Sequence, residues 1–484
     1  MTLNIKKQLN SEKAARWLYI NRVALKIVFM LTMMLCAIPY VHGVLSPFVK
    51  LLLLWGGVSV GADLLTGAKL VRNKFMLLLI AFCGAYGVTI LLNYEAFFAN
   101  NIKALLYMGV IFVMLYGQDL TLDRETVKKE MRLVSYVFVV MSFLLSLICF
   151  ATYVFSINTH YTTDEGWKYI GMFENRLWGL YNPNTGSTLA TISIVLTVFL
   201  WMTRAKKSKW LTAFFITNLC IQSFCLILTG SRTALYVLYI GVAMLVFYLL
   251  PLKWLKARSV KNYLLRIAAA GLAVICVFTS FQVVKTGLSY VPSLTRSIIS
   301  ISTTGEELEI EKEELTRLEV EENREGGFLT GRQHLWQAGL KAFLESPIFG
   351  VTRENLSERA KGYLISEAWE GTLGTGGLHN IYITILVSSG IIGFVLIAAF
   401  TVWSLIKMFS SLYRRKFDGK ERYCFLFSFV LIALFFVMEM FEARILYRVS
   451  LFYIVFWIYY GYAMYFTQKE EVAALPDLSE SKAE

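Results

Sequence analysis

LVSYVFVVMSFLLSLICFATYVFS, residues 133–156, carries no charged side chain over a length that crosses the hydrocarbon of a bilayer as an α-helix. Backbone N–H and C=O groups find no water at that depth, so such a run must bond within itself as a helix. Similar runs recur on both sides of it, at 23–41, 44–65, 75–94, 102–118, 182–203, 210–229, 231–251, 264–284, 380–406, 423–440 and 446–466. The chain is 57% hydrophobic and 15% aromatic, with a mean hydropathy of +0.57. Those values lie outside the range of water-soluble domains. The expected fold is an all-α polytopic membrane protein of about twelve transmembrane helices, one membrane domain over residues 1–484.

Lysine and arginine collect in every second loop. The start (Lys6, Lys7, Lys13, Arg16, Arg22) is basic, and Lys69/Arg72/Lys74 and Arg124/Lys128/Lys129/Arg132 follow in phase. Arg204/Lys206/Lys207/Lys209, Lys253/Lys256/Arg258/Lys261 and Arg414/Arg415/Lys416/Lys420/Arg422 continue the pattern. Cytoplasmic loops are the basic ones, so both termini are expected in the cytoplasm. The net charge of +13 is then a topology signal and requires no nucleic acid as partner. A basic start before an apolar run has the outline of a signal peptide. No small-residue cleavage site follows it and Val44–Leu65 continues as a further span, so an uncleaved helix is expected. Cys36, Cys83, Cys149, Cys220, Cys225, Cys276 and Cys424 fall in or beside spans or on the basic side, which implies no disulfide framework. CxxC, HExxH, metal-spaced carboxylates and GxxxxGK[ST] are all absent, so no metal and no cofactor are expected.

Three regions on the lysine-poor side exceed turn length or carry arginine. Asn158–Tyr181 ends in Arg176-Leu177-Trp178-Gly179-Leu180-Tyr181 and runs into Asn182-Pro183-Asn184. Gly230-Ser231-Arg232-Thr233-Ala234 forms a seam between two spans. Lys285–Leu378 is far longer than a connecting loop, and loops of that size usually carry function. Within it an acidic insert, Glu306–Glu325, sets ten glutamates against Lys312, Arg317 and Arg324 and contains no proline, so a solvated helix is expected there. Gly331-Arg332 then opens a stretch with Leu335, Trp336, Leu340, Phe343 and Leu344 at helical spacing, ended by Pro347 and Gly350. Such a helix lies on the membrane surface or caps the bundle.

His379, in Gly376-Gly377-Leu378-His379-Asn380-Ile381-Tyr382, stands where this long loop re-enters an apolar run. An imidazole at that boundary exchanges protons with water while facing a half-buried cavity; taken alone, it is also compatible with a hydrogen-bonded structural histidine. Arg232 is either a snorkelling helix-end arginine or, with Gly230 and Ser231 at a helix start, part of a phosphate seat. Arg176 and Arg332 add positive charge on the same side. Glu439, Glu442, Arg444 and Arg448 crowd the last turn, where mutual ion pairing is the expectation. His160 and His334 lack a comparable setting, and His42, in a short turn on the lysine-poor side, reads as structural. Trp178, Tyr181, Trp336 and Trp369 fit either sugar stacking or anchoring at the interface. Together the arginines and His379 fit a lipid-linked pyrophosphate donor, whose charged leaving group arginines stabilise without a metal while the imidazole takes a proton from a sugar hydroxyl.

The ordered set resembles the O-antigen ligase and O-antigen polymerase superfamily of bacterial membrane glycosyltransferases. Its pieces are Asn182-Pro183-Asn184, Gly230-Ser231-Arg232-Thr233-Ala234, Gly331-Arg332-x-x-Leu335-Trp336 with Ser346-Pro347-x-x-Gly350, and His379-Asn380-x-Tyr382-x-x-x-Leu386 with Gly390-Ile391-x-Gly393. The resemblance covers roughly 170–400; the first five helices match only as a hydrophobic pattern. It implies a C-type glycosyltransferase architecture in the bacterial plasma membrane, acting at the extracytoplasmic face on undecaprenyl-pyrophosphate-linked oligosaccharides. By motif, Arg232 and Arg332 contact pyrophosphate, His379 activates or positions the acceptor hydroxyl, and Arg176, Asn184 and Asn380 join the binding surface. The acidic insert is not part of that pattern. A polymerase of lipid-linked repeat units is the first expectation, building capsule, exopolysaccharide or O-antigen, with membrane lipids and other glycan-assembly proteins as its surroundings. A ligase to a lipid, protein or wall acceptor is the second. A lipid-linked oligosaccharide flippase or transporter is the third, and it would hold its substrate groups at the membrane midplane.

Overall fold

The computed structural model describes residues 2–71, 73–163, 166–205, 207–250, 259–304, 308–315, 331–414, 417 and 419–473. The helices are α1 (Thr2–Cys36), α2 (Pro39–Leu65), α3 (Lys74–Leu92), α4 (Phe98–Val110, continued by a π-helical turn Ile111–Tyr116) and α5 (Arg124–Val154). Two short hairpins follow, β1–β2 (Thr159–Thr163, Gly166–Ile170) and β3–β4 (Met172–Phe173, Arg176–Leu177). Then come α6 (Pro183–Thr203), α7 (Lys209–Thr229), α8 (Arg232–Leu249), α9 (Val260–Leu288) and α10 (Val291–Thr304). The chain continues through α11 (Arg332–Phe343), α12 (Leu356–Lys361), α13 (Glu370–Gly376), α14 (Ile381–Arg414), α15 (Gly419–Met438) and α16 (Leu451–Ala473). Among the described residues eleven stretches are long and apolar enough to cross a membrane: α1 to α8, α9 with α10, α14 and α15. The architecture is therefore an all-α polytopic membrane protein.

α16 corresponds to the last expected span, and it is unlike the others. Tyr453, Tyr459, Tyr460, Tyr462 and Tyr465 lower its hydropathy, yet every side chain from Leu451 to Gln468 is buried. It packs against α1, α14, α15 and the π-helical turn. Several of the hydroxyls find partners on neighbouring segments, Tyr459 with Ser135 Oγ at 2.7 Å and Tyr465 with the Leu122 carbonyl at 2.8 Å. Tyr462 donates to Glu130 Oε1 at 2.9 Å, where Lys26 Nζ also sits at 2.7 Å, while Arg22 approaches Oε2 at 3.4 Å. Arg22, expected as a loop charge, is thus sealed inside the bundle at 2% exposure. A second polar thread joins α5, α6 and α7 through Ser142–Ser193 (2.7 Å), Asn218–Thr197 (2.7 Å) and Ser146–Gln222 (2.9 Å). Interhelical hydrogen bonds of this kind fix pairing where apolar surfaces alone do not discriminate.

α14 breaks at Gly390, whose φ of 61° and ψ of −170° lie outside the helical region. The break uncouples backbone groups, and the Ser346-Pro347-x-x-Gly350 segment takes them up. Val351 and Thr352 donate to the Val387 and Ser388 carbonyls (2.9 and 3.0 Å), and Ile391 N donates to the Pro347 carbonyl (2.9 Å). A Cβ at Gly390 would collide with the Ile348 carbonyl, so these two motifs need glycine because two backbones meet. Thr89 Oγ1 caps the Phe349 carbonyl at 2.6 Å, and Asn93 reaches that of Gly350 at 3.2 Å. Part of the segment expected as a water-soluble loop therefore lies inside the helix bundle, with Val351, Thr352 and Arg353 buried. Irregular backbone is tolerated there because protein groups satisfy it.

Other parts of that segment also depart from expectation. The apolar face of α11 meets Val351, Leu356, Leu373, Leu378 and Val387 in a small core of its own, so the helix caps the bundle. Leu335, Ala338 and Ala342 point inward, whereas Leu340 and Leu344 remain exposed. In the acidic insert, the described residues 308–315 are extended and not helical. Ser289, Ser293 and Ser297 stand one helical turn apart. Ser293 and Ser297 donate to the Glu311 and Leu308 carbonyls (2.6 and 3.0 Å), Glu313 N donates to the Ser289 carbonyl (2.9 Å), and Arg296 pairs with Glu313 at 3.0 Å. These contacts replace the helix that composition favours. The remainder of 306–325 lies outside the described residues.

Candidate functional site

Each side chain of the site arrives at one end of the bundle by a different local device. The β3–β4 turn passes through Glu174 and Asn175, both with left-handed φ, and delivers Arg176 directly afterwards. Asn182 caps α6 by accepting from Asn184 N at 2.9 Å, which sets Asn184 in the first turn. Gly230 ends α7 in the left-handed region and leaves the Thr229 carbonyl to accept from Arg176 Nε at 2.7 Å. Arg332 opens α11, and His379 precedes α14 with a φ of 48°. Gly376 makes room for the imidazole: a Cβ there would collide with His379 Nε2. Trp336 Nε1 donates to the Leu378 carbonyl at 3.0 Å and holds the same loop from the other side.

These residues converge on one carboxylate that sequence reasoning did not select. Glu442 Oε2 faces His379 Nδ1 at 3.3 Å. Its Oε1 accepts from Asn184 Nδ2 at 3.2 Å and lies 3.8 Å from the Arg332 guanidinium. Asn184 in turn accepts from Arg176 at 3.4 Å. Arg176, Asn184, Arg332 and His379 are therefore linked in one network. Arg232 opens α8 at the seam whose Thr229 carbonyl Arg176 occupies; it is half-buried and makes no hydrogen bond or ion pair among the described residues. Asn380 is held by the backbone on both sides of it. Its amide donates to the Met440 carbonyl at 3.1 Å and accepts from Ile383 N at 3.0 Å, so it caps α14 and ties the Glu439–Glu442 turn to it.

The four charges of the last turn do not simply pair with one another. Arg444 does pair with Glu439, through its guanidinium at 3.7 Å and its backbone N–H at 2.6 Å, and it also reaches Thr188 Oγ1 at 3.2 Å. Arg448 instead pairs with Glu354 at 3.4 Å, and Glu442 goes to His379 and Arg332. The expected aromatic platforms are mostly committed to packing: Trp178 stands edge-on to Tyr169 and Phe173, Tyr181 is buried, and Trp369 lies against Gly331.

Electrostatics separates the two acids. Burial alone would raise the Glu442 carboxyl, but Arg444, the His379 hydrogen bond and Arg332 together hold it down at about 2. It is a carboxylate at any physiological pH. Because a carboxylate only accepts, the proton of a neutral imidazole sits on Nδ1 and Nε2 keeps its lone pair. Burial pushes Glu439 up to about 7 against the pull of Arg444. A raised carboxyl means that the folded chain holds a proton the unfolded chain, near 4.5, has already lost. The stability this contributes is complete below about 4.5 and disappears as pH rises through about 7. Moving from about pH 5 to about pH 8 should lower the unfolding free energy of the solubilised protein by on the order of 2–3 kcal/mol, and its thermal midpoint with it. Glu439→Gln should flatten that slope, and a wild-type slope retained in the variant would reject the assignment.

An apolar cavity of about 220 Å³ adjoins this end, between α14, α15 and α16, lined by Tyr382, Phe394, Phe436, Trp457 and Tyr460 among others. Cationic side chains above and an apolar slot beside them suit an anionic headgroup on a hydrocarbon tail.

Residues 217–398 match the family model described as O-antigen ligase. That stretch runs from α7 into α14 and contains Arg232, Arg332, His379 and Asn380; Arg176 and Asn184 precede it and Glu442 lies beyond it. The chain is also similar to the teichuronic acid biosynthesis protein TuaE of Bacillus subtilis (strain 168), at 23% identity over 362 residues. The alignment covers 72% of this chain and 63% of the relative, so the chain spans less than two thirds of that protein's length. Within this polytopic membrane protein, the segment similar to the O-antigen ligase family model supplies Arg332 and His379 of the network, which Arg176, Asn184 and Glu442 complete from outside it.

Proposed function

We propose that the chain is a membrane glycosyltransferase that joins undecaprenyl-pyrophosphate-linked oligosaccharide units into a cell-surface polysaccharide. The observation that carries this reading is the Glu442–His379 pair, oriented at 3.3 Å and surrounded by Arg176, Arg332 and Arg444. In the proposed reaction a sugar hydroxyl of one unit attacks the anomeric carbon of another. His379 Nε2 takes the hydroxyl proton, the bond from that carbon to the pyrophosphate oxygen breaks, and the arginines hold the departing pyrophosphate. No metal is required for that charge balance. Glu442 keeps the imidazole in the right tautomer and supports the imidazolium that forms. Similarity to an O-antigen ligase family and to a teichuronic acid biosynthesis protein supports polysaccharide assembly as the setting. Convergence at one end of the bundle, away from a midplane position, favours an enzyme over a transporter. In this reading that end faces out of the bacterial plasma membrane and both termini lie in the cytoplasm.

The test is polymer length in cells expressing His379→Ala or Arg232→Ala. Both variants are expected to insert normally and to leave only single repeat units on the carrier. Long polymer left unattached would favour the ligase, and wild-type product in both variants would refute the site.

A further inference from the structure

A second cationic cavity, of about 450 Å³, opens at the same end of the bundle on the side of α1, α2 and α4. Lys50, Lys103, Arg448, His42, Tyr107 and Glu354 are among the side chains that line it. Its size is that of a site for a small ligand, roughly 300–1,000 Å³. Three fixed cations face one acid, and that acid is already engaged by Arg448 at 3.4 Å. Lys50 makes no hydrogen bond or ion pair among the described residues, and Lys103 reaches only the Asn100 amide oxygen at 3.4 Å. Both lysines sit within membrane-length helices, Pro39–Leu65 and Phe98–Tyr116, where an ionised side chain is costly unless it has a purpose or a route to water. Side chains lean toward the N-terminus of their helix, which for α2 and α4 is the end that holds the His379 network, so both ammonium groups lean toward that end.

The cavity is joined to the His379 loop by Arg353. This residue is 2% exposed, its Nη1 has no hydrogen-bond partner, and a Cβ at Gly377 would come within 2.8 Å of its Nη2. It also lies close enough to Arg448 and Glu354 for their charges to act on it. Tyr107 and His42 define the opposite wall, pinned to the Val49 and Cys36 carbonyls at 3.0 and 3.1 Å.

We propose that this cavity is a second seat for an isoprenoid pyrophosphate, that of the acceptor unit. The inference rests on the polymerase reading above. A polymerase consumes two lipid-linked units at once, and only the donor's bond to pyrophosphate breaks. The acceptor's pyrophosphate stays bonded to the lengthened chain and must be held beside the donor without being expelled. Lys50, Lys103 and Arg448 bind that group. A ligase acting on an acceptor without pyrophosphate has no use for such a seat.

The test is equilibrium binding of sugar-free undecaprenyl pyrophosphate to the full-length protein in phosphatidylcholine nanodiscs. Wild type should bind two equivalents. Lys50→Gln/Lys103→Gln should lose about tenfold or more in affinity for one of them, and Arg332→Gln should weaken the other. Both lysines are exposed, so the double variant should keep the thermal midpoint of wild type. Two undiminished equivalents in the double variant overturn the proposal, as does displacement of the second equivalent by excess phosphatidylglycerol, which would mark a general anionic-lipid site. Two equivalents that depend on the lysines, with wild-type polymer from His379→Ala and Arg232→Ala cells, would remove the acceptor role and the glycosyltransferase reading while leaving the seat.

Discussion

Glu442→Gln is expected to reduce polymer formation by roughly 10²–10⁴-fold, the range in which a positioned general base contributes. The amide keeps the shape of the side chain and can still meet Asn184, but the negative charge that holds His379 Nδ1–H and supports its protonated form is gone. His379→Ala removes the base itself and should cost at least as much. The double variant should be no worse than His379→Ala alone, because the two side chains act as one unit. Membrane levels and thermal midpoints of all three should accompany the assay, since Glu442 also anchors Arg332 at 3.8 Å. Near-normal polymer from a well-folded Glu442→Gln protein would dismiss the pair as the base. Losses that multiply in the double variant would show that the two residues act independently.

The second large effect is on stability, at the opposite end of the bundle. Glu130→Ala leaves Arg22 and Lys26 buried without their carboxylate and Tyr462 without its acceptor. Removing one partner of a buried ion cluster costs about 3–5 kcal/mol, enough to lower both accumulation in the membrane and the unfolding midpoint in detergent. Replacing all three charges together with apolar side chains of similar volume should recover most of the loss, because no uncompensated charge then remains. An unchanged midpoint for Glu130→Ala would show that water reaches the cluster.

Helix existence was legible in the sequence because it follows from a single scale, apolar length against bilayer thickness. The expected spans fall on helices, although α1 starts at Thr2 and ends at Cys36 where 23–41 is expected, and α5 and α14 run well past their expected ends; the seam at Gly230 is sharp. Four of the six expected site residues, Arg176, Asn184, Arg332 and His379, are joined through Glu442, while Asn380 caps α14 next to His379 and Arg232 stands beside the network. Glu442 was overlooked because local reasoning pairs a charge with its neighbours in the chain. Its partners His379 and Asn184 are 63 and 258 residues away, a relation that only the fold creates. A hint was present in Glu439, Glu442 and Arg444 standing together in an otherwise apolar region. The extended course of residues 308–315 was equally hidden, since the hydroxyls that hold it belong to another helix.

α16 has a consequence for how the protein is made. Among the described helices it comes last in sequence, yet it fills the interior and supplies hydroxyls to Glu130, Ser135 and Ser404. While the earlier segments are being inserted, its place must be held open by lipid or water, and the charges around Glu130 lack one of their ligands. The keystone is thus made after the helices it joins. A tyrosine-rich segment that partitions poorly into lipid by itself enters a slot already lined with acceptors, and its arrival turns a loose ring of helices into a closed body. Quality control in the membrane would have one late event to inspect.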